Sequence, residues 1–596
     1  MRTDSFNHNK TEKMKDIAME KKTAAEILAF MRYGYFKSFE ENAGDSERLK
    51  AFFARRPKGY AYYDFPEYEV AVSDGSEIWM GRGDRIVRAK DGSFHLMFRR
   101  SDGYTAKWGR TKDENPTHCP WGNEIADIEI TTTCNGIRDK EGKRMPCAFC
   151  FPEGTNITMA DGSLKDISEI VVGDRVLSYH NGQQVENVVK EVYCRDYTGK
   201  LIGGFANYSD SRHKPSYHVL PNATPEHPFM VRNGSEYEEV KATDLKYRPE
   251  AELLFDDNKD GCLTSLEESD YCGKVYNFHC EPNSMYFADG VLVHNCYKAN
   301  TPNGEYMTFD TFKEVFDLMN QPKTMTQIAF GVDAECKTNP DVWRIMDYCL
   351  ENDVVPNVTV ADIDYDTARE IVRRCGACAV SAYERNLGCC HESIANLLKA
   401  RDELGKKDFT VNIHCLVAAE TRNLVWKLLD EVRIARKGGF GSGDVRRSLR
   451  GVKAVVLLSL KKKGRGEGFH VLPEDEYRKI VDFCFDNGLP FGMDSCGANK
   501  FLRAIESRPD RDAIVSCVEP CEKLLFSTYV NVEGKMFPCS FMEGTEKWRD
   551  GIDLTGGAFR DYGAEVWNHG RVREDRQCSI DCIERNGCNS CPYYEV

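Results

Sequence analysis

Short apolar strands alternating with amphipathic helices run through most of this chain, and one block, Cys150 to Asn295, breaks the series just after its first strand. That first strand is IEITTT, following Asp127; the later ones are QIAF, NVTV, CAVSA, FTVNIHCLV and KAVVLLSL. Helices such as FDTFKEVFDLM, NPDVWRIMDYCLEN and HESIANLLKARDEL stand among them. The alternation predicts parallel βαβ units, here an α/β core forming a partial or full βα barrel. The block of 146 residues differs in kind, with strand and turn signals (MADGSLKDI, YHNGQQV) and no long amphipathic helix. A loop of that length is abnormal inside a compact unit. The block is therefore expected to be a separate, inserted all-β domain.

The flanks set the remaining boundaries. Residues 1–125 read as a helical start (AAEILAFMRYGYF) followed by three Asp-Gly hairpin signals, SDGSEIWMG, AKDGSFHLMF and SDGYTAKWG, which predict a small antiparallel sheet. The core is expected over 126–149 and 296–505, and a small Cys-rich region over 506–596. No apolar run approaches the roughly 18 residues of a membrane span, and the polar start MRTDSFNHNKTEKMKD has no signal-peptide core. The chain reads as cytoplasmic. Its net charge of −15 gives no strong nucleic-acid signal. In a reducing compartment, closely spaced cysteines among the 25 present are more often metal ligands than disulfides. Cys349, Cys415 and Cys484, in apolar or helical stretches, suit plain burial instead.

The block begins at Cys150 and ends at His294-Asn295, followed by Cys296; inside it stand NATPEHPF and VYNFHCEPNSMYFADGVLVHNC. These ordered motifs resemble the inteins of the Hedgehog/intein (Hint) fold over the whole block. A thiol at Cys150 can attack the preceding carbonyl and turn the Phe149–Cys150 amide into a thioester. The resemblance implies that Thr224 and His227 polarise that carbonyl and protonate the leaving nitrogen, as oxyanion donor and general acid. It further implies that Cys296 takes over the acyl group, that Asn295 cyclises with the help of His294, and that Phe149 ends bonded to Cys296. Asn277 stands where the family often has an acidic residue. The length implies a mini-intein without a nuclease. A Hint domain that cleaves without ligating is the alternative; Asn295 and Cys296 argue against it.

Within the block, DDNKDGCLTSLE fits the EF-hand loop, with Asp256, Asn258, Asp260 and Glu267 as Ca2+ ligands and Gly261 at the turn. The other reading is an acidic surface turn.

Excision would leave 450 residues and the junction TTTCNGIRDKEGKRMPCAF|CYKANTP, which sets Cys134, Cys147 and Cys296 at C-x12-C-x2-C after a strand. Three thiolates can hold three irons of a 4Fe-4S cluster and leave the fourth open. The arrangement resembles the radical S-adenosylmethionine (SAM) superfamily, whose usual first gap is shorter. The resemblance implies SAM bound at the open iron, Phe149 beside the adenine, and Gly331 and Asp333 in place of a Gly-Gly-Glu-Pro run. It also implies a 5′-deoxyadenosyl radical, an electron donor such as a flavodoxin or ferredoxin, and often a peptide or protein substrate. At the C-terminus, Cys521-x12-Gly534-x4-Cys539, EVWN at Glu565–Asn568 and Cys578-x3-Cys582-x5-Cys588-x2-Cys591 resemble the SPASM or twitch extension. That implies one or two auxiliary iron–sulfur clusters. A zinc-stabilised binding protein remains the alternative host.

Overall fold

The computed structural model describes residues 46–76, 80–101, 103–111, 114, 116–133, 137–138, 144–145, 150–180, 182–209, 215–225, 227–233, 236–249, 251–281, 283, 285–294, 305–331, 336–384, 387–463, 469–515, 518–519 and 521–584. No helix among them is long and apolar enough to cross a membrane. The helix expected over AAEILAFMRYGYF lies outside the described residues.

The strand–helix series builds a ten-stranded sheet. Ile125–Ile128, Gln327–Phe330, Val355–Val360, Ala377–Ser381, Thr410–Val417, Ala454–Ser459 and Phe491–Met493 lie side by side in chain order, all parallel. Helices between them pack one face. Phe309–Met319, for example, is capped by Thr308 and buries Phe309, Phe312, Val315, Phe316 and Met319 at helical spacing. Thr410–Val417 alternates strictly: Val411, Ile413, Cys415 and Val417 are buried, while Thr410, Asn412, His414 and Leu416 are half-buried. The half-buried face carries Asp127, Gln327, Asn357, Asn412 and His414 in neighbouring registers.

The sheet is open among the described residues, with Phe491–Met493 at one end and Ile552–Asp553 at the other. Of the two barrel forms expected, closure into a full ring is not observed. The residues after 506 also do more than form a small appendage. Ser527–Val530 pairs in parallel beside Ile125–Ile128, and Lys535–Phe537 and Ile552–Asp553 extend the sheet antiparallel. Tyr529, Trp548, Tyr562 and Trp567 share one core with the parallel strands. Glu565–Asn568 serves this docking: Trp567 Nε1 donates to Cys119 O at 2.8 Å and Asn568 Nδ2 to Pro120 O at 3.0 Å.

Five antiparallel strands over Tyr60–Trp108 form a second sheet. Gly92 and Gly103 turn two of its hairpins at positive φ. This sheet caps the N-terminal ends of the parallel strands. Arg85, 1% exposed, donates to the carbonyls of Lys323, Met325 and Asp353, and Tyr68 Oη donates to Pro322 O at 2.9 Å.

The inserted block is all β, twelve strands in one connected sheet. Two long strands, Gln183–Ser209 and Asp260–Glu281, pair antiparallel along most of their length. Its own core includes Phe151, Phe229, Phe278, Tyr286 and Val293. The two ends of the block meet there. Phe151 pairs with Tyr276, while Val291–His294 pairs with Met285–Ala288 and, through Val293, with Phe229.

Candidate functional site

Cys150 is 5% exposed and packs against Tyr197, Leu201, Val275 and the half-buried Tyr271. The Thr224–His227 turn holds its backbone. The Cys150 N–H donates to Thr224 Oγ1 at 2.9 Å, and the Thr224 N–H donates to Cys150 O at 3.0 Å. The turn is itself tied by His227 N donating to Thr224 O at 2.9 Å and Ala242 N donating to His227 O at 2.8 Å. Thr224 thus stands on the nitrogen of the Phe149–Cys150 amide, the atom that leaves if that bond breaks.

His227 is fully buried, its ring 4.0 Å from that of Phe151. Burial, and secondarily His294, holds its imidazole down at about 3, so it is neutral at ordinary pH. A neutral ring carries one N–H donor and one acceptor nitrogen, the form that can relay a proton. His294, 6% exposed, lies close enough to act on it. The structure therefore brings Cys150, Thr224, His227 and His294 together. Phe149, Asn295 and Cys296 lie outside the described residues.

Two further residues shape this centre. Tyr286 Oη, fully buried, donates to Asn277 Oδ1 at 2.6 Å, and Phe278 N donates to the same oxygen at 2.8 Å. Burial raises the Tyr286 hydroxyl well above the usual phenol range, with Cys280 and Cys150 adding to it. Tyr286 is not among the residues expected from sequence. The pattern MYFADG marks a strand and offers no sign that its tyrosine reaches Asn277.

The calcium-loop expectation is corrected. Asp256 to Glu267 is no ligand-wrapping loop but a tight hairpin running into a long strand. Phe255 N donates to Lys259 O, Asn258 takes φ +62°, and Leu254 pairs with Asp260. Glu267 lies seven residues along the strand from Asp260, opposite Gly203, roughly 24 Å away at strand rise. The acids have other partners: Thr158 Oγ1 donates to Asp256 Oδ2 at 2.8 Å, and Asp260 accepts from Tyr237 Oη at 2.6 Å and pairs with Arg232.

In the parallel sheet, Gly331 follows the Gln327–Phe330 strand at φ +95°, where a Cβ would stand 2.6 Å from Thr359 O. Only glycine fits there. Asp333, Cys134 and Cys147 lie outside the described residues, as do Cys588 and Cys591. Cys578 is exposed on the Gly570–Glu584 helix, which also carries Cys582. Among the described residues, no three His, Cys, Asp or Glu side chains gather as a metal site.

Cys521 and Cys539 flank the Ser527–Phe537 hairpin, and a further thiol, unanticipated, stands beside Cys521. Cys496, just after the Phe491–Met493 strand, is hydrogen-bonded to Cys521, and Cys539 lies within electrostatic reach of Cys521. The Cys521 hydrogen bond and then Lys461 hold the Cys496 thiol below its ordinary range. Lys461 also pairs with Asp494, which accepts from Gly497 N at 3.1 Å. Cys496 belongs to no spaced motif, so only the fold reveals it. The hydrogen bond to Cys496, with burial, pushes the Cys521 thiol well above its ordinary range.

No family model matches the chain, and no curated protein matches it. Among solved structures it is similar to the bacterial intein-like domain from Clostridium thermocellum, at 27% identity over 24% of this chain and 98% of that one, with a TM-score of 0.20. It is similar to a DnaB intein from Synechocystis sp. PCC 6803, at 14% identity over 24% of this chain and 97% of that one, with a TM-score of 0.20. It is also similar to Streptococcus suis SuiB bound to S-adenosylmethionine, at 12% identity over 48% of this chain and 68% of that one, with a TM-score of 0.33.

Proposed function

We propose that this chain is a precursor that excises Cys150–Asn295 and joins Phe149 to Cys296. The convergence of Cys150, Thr224, His227 and His294 at the meeting ends of the block carries this reading. The Cys150 thiol attacks the Phe149 carbonyl; the C–N bond breaks, and the thiol proton passes to the leaving nitrogen that Thr224 holds, relayed by neutral His227. The Cys296 thiol then displaces Cys150 from the thioester. The Asn295 side-chain nitrogen attacks its own carbonyl and cleaves the Asn295–Cys296 bond, with His294 giving the proton the departing amine needs. That amine attacks the thioester, and a peptide bond replaces it.

The 450-residue product is read as a radical SAM enzyme. Cys134, Cys147 and Cys296 would hold its 4Fe-4S cluster, and Cys521, Cys539 and the neighbouring Cys496 an auxiliary one. Cys578, Cys582, Cys588 and Cys591 are the further candidates. The cluster, when bound, supplies the electron that cleaves S-adenosylmethionine. The chain's own part is to bind and orient. Gly331 lets the chain pass close to the Thr359 carbonyl at the end of its strand, and Phe149 and Asp333 would hold the adenine and the amino group. A peptide or protein substrate and a flavodoxin- or ferredoxin-type donor complete the proposal.

Mass spectrometry of the expressed chain tests the first half. A 450-residue product is expected from the parent and not from Cys150→Ala or Asn295→Ala; the same product from either variant refutes it. Iron and inorganic sulfide in that product test the second half, and zinc in their place refutes it.

A further inference from the structure

The cap made by the Tyr60–Trp108 sheet covers only part of the parallel sheet's N-terminal end. It reaches the starts of Gln327–Phe330 and Val355–Val360. At the starts of Thr410–Val417, Ala454–Ser459 and Phe491–Met493, a cavity of about 1220 Å³ remains. Its wall is built on rings. Phe485 and Phe491 meet edge to face at 5.0 Å, and Phe501 lies 6.5 Å from the first and 6.1 Å from the second. Phe409 and Leu489, both buried, continue that wall.

Four cations also line the cavity: Arg401, Lys407, Arg436 and Lys453, the last three exposed. Asp402 holds Arg401 at 3.0 Å. Lys407, Arg436 and Lys453 form no ion pair among the described residues. The acids of the lining are Asp408, Glu519 and Glu522. Glu519 acts on the ammonium of Lys107, outside the lining. Burial, and then a hydrogen bond to Glu519, push the Glu522 carboxyl up to about 8, so it is largely protonated at neutral pH. Three uncommitted cations therefore stand against one uncommitted carboxylate, Asp408, in a chain whose net charge is −15. A local cationic surplus on an acidic protein attracts anions to that spot.

The geometry points to a binding site for a long-chain carboxylate. The hydrocarbon chain lies along the rings, and the carboxylate stands at the exposed edge among Lys407, Arg436 and Lys453. Burial of the chain supplies the affinity, and the cations select the sign of the head group. A peptide suits the wall less well. Thr410 and Ser495 are the hydroxyls of the lining, too few to satisfy the N–H and C=O groups that a buried backbone brings. This site lies outside Cys150–Asn295 and at the strand ends opposite Gly331, so it stands or falls apart from both reactions proposed above.

Calorimetric titration of octanoate, decanoate and laurate into the purified chain at neutral pH tests it. Laurate is expected to bind, and each added pair of methylenes to tighten binding roughly tenfold. Dodecyltrimethylammonium, equal in chain length and opposite in charge, is expected to bind at least about tenfold more weakly than laurate. Arg436→Gln combined with Lys453→Gln, both at exposed positions, is expected to keep the fold and weaken laurate roughly tenfold. Gly492 lines the cavity, and a Cβ there would meet only Val456, at 3.9 Å. Gly492→Leu is therefore expected to fill the space and abolish binding, with a melting curve reporting that the chain is folded. No heat from laurate with the folded parent overturns the inference, as does a cation that binds as tightly, or affinity unchanged in both variants. A blocked Glu-Phe-Glu tripeptide that outbinds laurate gives the cavity to a protein partner and overturns it as well.

Discussion

Thr224 Oγ1 stands 2.9 Å from the backbone nitrogen of Cys150. One hydroxyl thereby fixes the atom that must change from amide to amine in the first step. Thr224→Ala is expected to slow thioester formation roughly 10²–10³-fold, the usual cost of removing a hydrogen-bonding group aligned with a reacting amide. Thr224→Ser keeps the oxygen and should fall within tenfold of the parent. Hydroxylamine cleavage of the precursor, followed in time by gel densitometry, reads both rates.

His227 sets a pH dependence whose sign follows from its lowered value. The unfolded chain binds this proton near 6.5 and the folded one only near 3. The stability it contributes is complete above about 6.5 and drains away as pH falls through about 3, at roughly 1.4 kcal/mol per unit. Denaturant midpoints of the Asn295→Ala precursor should decline across that window, and His227→Gln should flatten the decline. The first acyl shift should show no histidine titration between pH 6 and 7.

Tyr286→Phe takes one of two donors from the buried Asn277 oxygen. A loss of about 1–2 kcal/mol in the block is expected, measured by thermal melting of the excised domain.

Cys496 should differ from the deeply buried thiols. In metal-free protein, iodoacetamide at neutral pH is expected to label Cys496 well before Cys349, whose thiol burial pushes up. Cys521→Ser should remove most of that advantage and Lys461→Met a smaller share, and peptide mapping by mass spectrometry reports both.

Gly331→Ala places a Cβ against Thr359 O at positive φ. The backbone strain alone costs about 1–3 kcal/mol, so lower stability of the 450-residue product is expected, together with weaker retention of S-adenosylmethionine in equilibrium dialysis.

The strand–helix series was legible because each helix carries its apolar stripe in sequence, as Phe309–Met319 does. The hairpins at Gly92 and Gly103 were legible because Asp-Gly encodes the turn locally. Features set by partners distant in sequence were not. The 27 residues of Gln183–Ser209 stay extended because Asp260–Glu281 runs beside them. Cys496 meets Cys521 only once the last parallel strand is in place. The calcium reading failed because Asp-Asn-Lys-Asp-Gly suits two structures at once. The asparagine and glycine that let a cation loop turn also let a hairpin turn, as Asn258 does.

That both ends of the block, at Phe151 and at His294, reach the same residue, His227, has an effect on the host as well. To the strands at Ile125–Ile128 and Gln327–Phe330, a guest that enters and leaves at one point spans no more distance than a short connector. The entropic cost of closing their crossover therefore scarcely depends on the guest's length. Host and guest, each with its own core, can each collapse around its own nucleus.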